Sequence, residues 1–242
     1  MTDAIRLPSF EAPVRAAVFG GGGIGGAVAS VLKASPDVGE VISLSRRGDA
    51  VFEVDVTDEA SIEAAAISVK KGGPLDLVFV ATGMLHDGEF APEKSLSSLT
   101  PEALIRLYQV NAIGPALVAK HFLPLLAKRR KAAFACLSAR VGSIGDNRLG
   151  GWHSYRASKA ALNMLIRTMS VELARRNPTA LIVGLHPGTV DTPLSAPFQR
   201  GVADGRLFRP ARSARAMLEV LDGLTGEDSG AQFAWDGSRV PD

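Results

Sequence analysis

Short runs of consecutive apolar residues alternate along this chain with longer stretches of helical spacing. Residues 14–19, 41–44, 51–54, 75–81, 132–138, 180–185 and 232–235 read as strands. Between them, helices are expected over 24–34, 58–70, 152–176 and 213–221, and over 101–127 with an interruption near Gly114-Pro115. Thr57 or Asp58 is suited to cap the helix that follows it. The strands are apolar throughout rather than alternating, so both faces of their sheet must be covered. Strands of that kind, each followed by a helix, predict an α/β fold: a doubly wound parallel sheet of Rossmann type, about seven strands with helices on both faces. A Gly/Ser/Asn-rich loop covers 142–151 and a Pro-rich loop covers 187–210.

A length of 242 residues suits one such domain, with residues 1–13 as an N-terminal extension. The 46 % hydrophobic content is enough for a substantial core, and a formal charge of +2 gives no reason to expect a nucleic acid or another polyanion as partner. The one basic run, Lys128-Arg129-Arg130-Lys131, reads as the solvated end of the preceding helix, with cations meeting the negative end of its dipole. Cys136 is the only cysteine, which excludes a disulfide within the chain and suggests a small buried hydrophobe. His86, His121, His153 and His186 are scattered and lack metal-ligand spacing, so no metal is expected. No stretch resembles a secretory signal or a membrane span, and the default expectation is a cytoplasmic protein.

Sheets of this class bind ligands beyond the carboxyl ends of their strands. There the first strand runs into Gly20-Gly21-Gly22-Gly23-Ile24-Gly25-Gly26. Glycines at a strand–helix junction let backbone N–H groups approach the diphosphate of a dinucleotide. An NAD site usually carries an acid after the second strand, but Ser43-Leu44-Ser45-Arg46-Arg47 has none. Arg46 and Arg47 could instead pair with a 2′-phosphate, which favours NADP over NAD. Farther on, Tyr155 and Lys159 are four residues apart, on one face of their helix. A nearby ammonium would lower the phenol's pKa from about 10, fitting Tyr155 for proton transfer to or from a substrate oxygen.

Taken in order, the glycine loop, Asp55-Val56, Ala81-Thr82-Gly83, Asn111, the strand ending at Ser138, Tyr155-Lys159 and Pro187-Gly188-Thr189-Val190-Asp191-Thr192 resemble the short-chain dehydrogenase/reductase family over residues 14–236. Met84-Leu85-His86-Asp87-Gly88, with Gly142-Ser143-Ile144 and Gly150-Gly151, is similar to its C-factor and sniffer-type carbonyl reductase branch. The resemblance implies that Gly20, Gly22, Gly23, Ile24, Ser45 and Arg46 bind the cofactor. It places Asp55 and Val56 at the adenine, and Ala81, Thr82 and Gly83 beside its ribose. Asn111 would bend its helix and hold a water linking Lys159 to solvent. Lys159 would also hold the nicotinamide ribose, Val190 and Thr192 would hold the nicotinamide amide and phosphates, and Pro187 and Gly188 would bind the cofactor beside them. Residues 193–209, with Leu194, Ala196, Pro197 and Phe198, would form a substrate lid.

The chain departs from the family pattern in three places. The glycine loop is one residue short, so Phe19 stands where the first glycine belongs; either the turn is tighter or Gly20 takes that role. The usual Asn-Ala-Gly reads Ala-Thr-Gly at Ala81–Gly83. The serine that would hydrogen-bond the substrate carbonyl is Ala139; Ser143 could replace it, or Ser138 if the strand end were rotated. Two functions follow. One is an NADP-dependent oxidoreductase acting on a small carbonyl or alcohol. The other is a cofactor-binding regulatory or signalling protein with little turnover. By resemblance, the helices of 111–127 and 152–176 would pair across a two-fold axis, giving a homodimer or homotetramer.

Overall fold

The apolar runs lie side by side in one parallel sheet. A computed structural model describes residues 4–46, 50–88, 90–203 and 205–242. Its strands are β1 (Val14–Phe19), β2 (Val38–Ser45), β3 (Phe52–Glu53), β4 (Leu77–Val80), β5 (Ala132–Leu137), β6 (Ala180–His186) and β9 (Gln232–Ala234), with β7 (Thr189–Val190) and β8 (Leu207–Phe208) forming a separate short pair. The order across the main sheet is β3-β2-β1-β4-β5-β6-β9, and every neighbour is parallel. The chain therefore winds outward from β1 in one direction and then, through β4, in the other. Where that reversal occurs, the loops above the sheet part and leave a crevice.

Alternate residues of each strand feed opposite core layers, because successive side chains point to opposite faces. Ala17 and Phe19 of β1 pack with Ile62 of α2 (Glu59–Lys70), Phe122 of α4 (Gly114–Phe122), and Leu162 and Ile166 of α5 (His153–Arg176). Ala16 and Val18 pack with Leu32 of α1 (Gly23–Lys33) and Met217 and Leu218 of α6 (Pro210–Gly223). Ile5, Leu7 and Phe10 are buried in this second layer, so the segment before β1 contributes to the core. Asp58 is the cap of α2, accepting from Ala60 N. Among the described residues, no helix is long and apolar enough to cross a membrane.

Three expectations are corrected. The stretch 101–127 does not break at Gly114-Pro115. It passes from α3 (Pro101–Tyr108) through a π turn at Gln109–Ile113 directly into α4. A π turn widens the backbone by one residue, and here Asn111 is fully buried within it. Of the run Lys128 to Lys131, Lys128 and Arg129 are exposed, but Arg130 and Lys131 are not a solvated end of α4. Arg130 pairs with the buried Asp76, and Lys131 Nζ donates to the carbonyls of Leu221, Asp222 and Leu224 at the end of α6. Cations do meet a helix C-terminus, but the helix is one remote in sequence. The Pro-rich loop 187–210 carries the β7–β8 pair, whose two-residue strands are too short to show a pattern.

Candidate active site

A crevice of about 500 Å³ opens at the carboxyl ends of β1, β2 and β4, lined by Gly20, Gly22, Ser45, Arg46, Asp55, Val56, Ala81, Thr82 and Gly83 among others. The sequence had singled out each of these. Phe19 ends β1 in the core, edge-on to Phe122, and Gly20 makes the turn at φ +102. Gly25 must lack a side chain, since a Cβ there would lie 1.9 Å from the Gly20 carbonyl oxygen. Gly22 caps α1 without a side-chain hydrogen bond, so that the first helical amides keep their capacity to bind an anion. Thr82 Oγ1 is buried without a partner in this wall. An orphan hydroxyl, a glycine cradle and an uncapped helix end suit a dinucleotide.

At the outer end, Arg46 lies 3.5 Å from Asp55 and is more than half exposed. Burial works against the Asp55 carboxylate, but hydrogen bonds from Thr57 N and Oγ1 and the nearby Arg46 outweigh it and hold its pKa below the ordinary value. Arg47 lies outside the described residues. From the far side, Thr192 closes on the glycine loop: a Cβ on Gly23 would come 2.6 Å from Thr192 Cγ2. Ile24 packs into the second core layer. Pro187 accepts a hydrogen bond from Ser213 Oγ, Gly188 turns at φ +76 against Phe208 and Trp235, and Val190 is buried.

Tyr155 and Lys159 occupy the first turns of α5, both buried. Lys159 Nζ lies 6.0 Å from the centre of the Tyr155 ring and donates to Leu137 O at 2.8 Å. Burial pushes the Lys159 ammonium down to about 8. It pushes the Tyr155 phenol up to about 12, against the lowering expected from Lys159. Burial disfavours the phenolate, and Lys159 Nζ is engaged by the Leu137 carbonyl. Asn111 Nδ2 donates to Met84 O at 2.8 Å and to Ser158 Oγ at 3.0 Å, and its Oδ1 accepts from Met84 N at 2.8 Å. The π turn thus ties the strand β4 exit to α5.

Ala139 packs in one apolar cluster with Tyr155, Leu85 and Leu107. The two serines weighed as its replacement have other partners. Ser138 Oγ donates to Asn163 Oδ1 at 2.6 Å, while Ser143 Oγ accepts from Asp146 N and lies 3.4 Å from Asp242 O. Above the phenol, Trp152 stands edge-on to both Tyr155 and Phe198, and Phe198 meets His86, whose Nε2 lies 3.2 Å from Leu194 O. In the sequence Phe198 and Leu194 read only as lid residues and Trp152 as a helix start, and nothing in spacing joins residues 86, 152 and 198.

Comparison with known proteins points the same way. The sequence pattern of the short chain dehydrogenase family matches residues 16–202. The C-signal protein of Myxococcus xanthus is 41 % identical over 138 residues, covering 57 % of this chain and 78 % of that protein. Among solved structures, the NADPH-bound carbonyl reductase from chicken fatty liver superposes with a TM-score of 0.82 at 30 % identity, over 96 % of each chain. The carbonyl reductase Sniffer of D. melanogaster shares the fold, with a TM-score of 0.81 at 20 % identity over 95 % of this chain and 99 % of its own.

Proposed function

The chain belongs to the short-chain dehydrogenase family, and from that premise we propose that it is an NADP-dependent carbonyl reductase with Tyr155 as its proton donor. One observation carries the proposal. Gly83 lines the crevice, and a Cβ there would lie 3.6 Å from both Lys159 Nζ and Asn111 Oδ1. The inner end of a dinucleotide-sized cleft therefore abuts the very residues suited to proton transfer.

A nicotinamide cofactor bound in this cleft would supply the hydride. Gly20, Gly22 and Gly23 would hold its diphosphate and Arg46 its 2′-phosphate. Asp55 and Val56 would meet the adenine, and Ala81, Thr82 and Gly83 the adjoining ribose. Pro187, Gly188, Val190 and Thr192 would enclose the nicotinamide end. Tyr155 gives its phenolic proton to the carbonyl oxygen in reduction and takes it back in the reverse direction. A phenol at about 12 is fully protonated at neutral pH, as reduction requires. Lys159 and Asn111 would resupply the proton through water. Ser138 and Ser143 are held by other partners, so in this reading the Tyr155 hydroxyl holds the carbonyl by itself. Residues 193–209 would close over the substrate. α4 and α5 would pair between two copies to give a dimer or tetramer, as the exposed Met164 and Val171 on α5 suggest.

A second reading rests on Ala139 and on the likeness to C-signal: a cofactor-binding regulatory protein with little turnover. NADPH oxidation with a panel of aldehydes, ketones and quinones separates the two, with Tyr155→Phe as control. The enzyme reading expects turnover that this variant abolishes. Tight NADPH binding with no turnover on any of them favours the regulator.

A further inference from the structure

We propose that Glu93 is a positioning residue, which sets the height and rotation of Tyr155 by capping the helix that carries it. α5 has no cap of its own. The residue before it, Trp152, is left-handed at φ 51, and its side chain makes no capping hydrogen bond. It follows Gly150 at φ 63 and Gly151 at φ 65, so the chain enters the helix through three left-handed residues in a row. For tryptophan that conformation is unfavourable, and it persists only where neighbours hold it.

Glu93 is that neighbour. Its backbone carbonyl accepts from Trp152 N at 2.6 Å. Its carboxylate accepts from Ser154 N at 3.3 Å through Oε2, and from the Ser154 hydroxyl through Oε1. Glu93 is only 4 % exposed, a place a carboxylate takes only when it is paired, and its side-chain partners are both on Ser154. A buried negative charge suits the positive end of a long helix, and both carboxylate oxygens are committed to the residue adjoining Tyr155.

Earlier in the segment that carries Glu93 is Met84, whose N–H and carbonyl Asn111 grips through its two amide atoms. Along it, His86 touches the lid at Leu194. Met84, His86 and Glu93 thus touch, in turn, the inner end of the crevice, the proposed lid and the first turn of α5. Placement of the phenol matters more here than where a serine helps to hold the carbonyl, since position 139 is alanine.

The inference rests on Tyr155 as proton donor, and the test keeps the two apart. Glu93→Gln leaves one oxygen to serve two donors and turns an amide N–H toward the other. Ser154→Ala removes the hydroxyl bond and leaves the backbone one. Each should lower kcat by about tenfold or more, as small misplacements of reacting groups do, while the Kd for NADPH measured by fluorescence stays within about twofold. The double variant should be no worse than Glu93→Gln alone. If Glu93→Gln does not fold, Ser154→Ala decides. Wild-type kcat in the deciding variant, or an equal loss of kcat and NADPH affinity, overturns the positioning role. When Tyr155→Phe abolishes turnover in that same assay, the donor reading stands regardless. Wild-type turnover in Tyr155→Phe overturns both.

Discussion

At the glycine-loop end of the crevice, the surface is made of backbone, glycine and small side chains at strand ends that adjoin one another in the sheet. Around Tyr155, next to that crevice, the surface is made mostly of large side chains drawn from the segment after β4, α3, the segment after β5, the start of α5 and the loop after β7. The first kind of surface is tolerant of side-chain chemistry and intolerant of volume. The second depends on individual functional groups and on what holds each one. That contrast accounts for the pattern of departures from the family. In the proposed reading, the shortened glycine loop is accommodated by the turn at Gly20, whereas alanine at position 139 would change what the site can do.

The sharpest way to break the contrast is to cross the two ends. Tyr155→Phe should reduce kcat about 10²–10⁴-fold with NADPH binding unchanged. Gly25→Ala should do the reverse and abolish NADPH binding in a fluorescence titration, because its Cβ would stand 1.9 Å from the Gly20 carbonyl oxygen. NADPH affinity retained by Gly25→Ala would mean that the loop is not a rigid cradle. Next in size, Arg46→Ala should raise the Kd for NADPH about tenfold to a hundredfold and leave NADH nearly unchanged, in line with the loss of a charged hydrogen bond. Equal effects on both cofactors would remove the 2′-phosphate assignment.

Ala139→Ser tests the other end. A hydroxyl beside Tyr155 should raise kcat about tenfold, less than the full effect of an oxyanion donor because nothing around it is arranged to orient it. No gain would mean that another group already holds the carbonyl.

The smallest effect is on stability. Burial lowers the Lys159 pKa from 10.5 to about 8, so between those values the unfolded chain binds more protons and stability rises with pH. Below pH 8 the folded protein carries the full cost of a buried ammonium. Lys159→Met should therefore stabilise the protein by roughly 1–3 kcal/mol at pH 6, and the gain should shrink as pH passes from 8 toward 10.5. Thermal melts across that range would check it, and a constant difference would remove the burial argument.

Local rules carry much of the protein. Continuous apolar strands alternating with helices require a sheet covered on both faces, and a sheet of that kind opens a cleft at its switch point. The residues that line the cleft follow strands directly, so Gly20 and Ser45 are legible from position, while Asp55 and Ala81 are marked by the family resemblance. The pairing of Tyr155 with Lys159 is legible from position too, since an i,i+4 spacing on a helix puts two side chains on one face whatever surrounds them.

Contacts between segments far apart in the chain carry no such mark. Glu93, between Pro92 and Lys94, looks like any charged loop residue until α5 arrives uncapped beside it. Lys131 reads as the end of its own helix until α6 brings three carbonyls to it. Whether Tyr155 titrates below or above 10 depends on how much water the neighbouring segments remove, and no spacing encodes that. Periodicity reports which way a side chain faces on its own element; burial and partnership are properties of the space between elements, which only the folded chain defines.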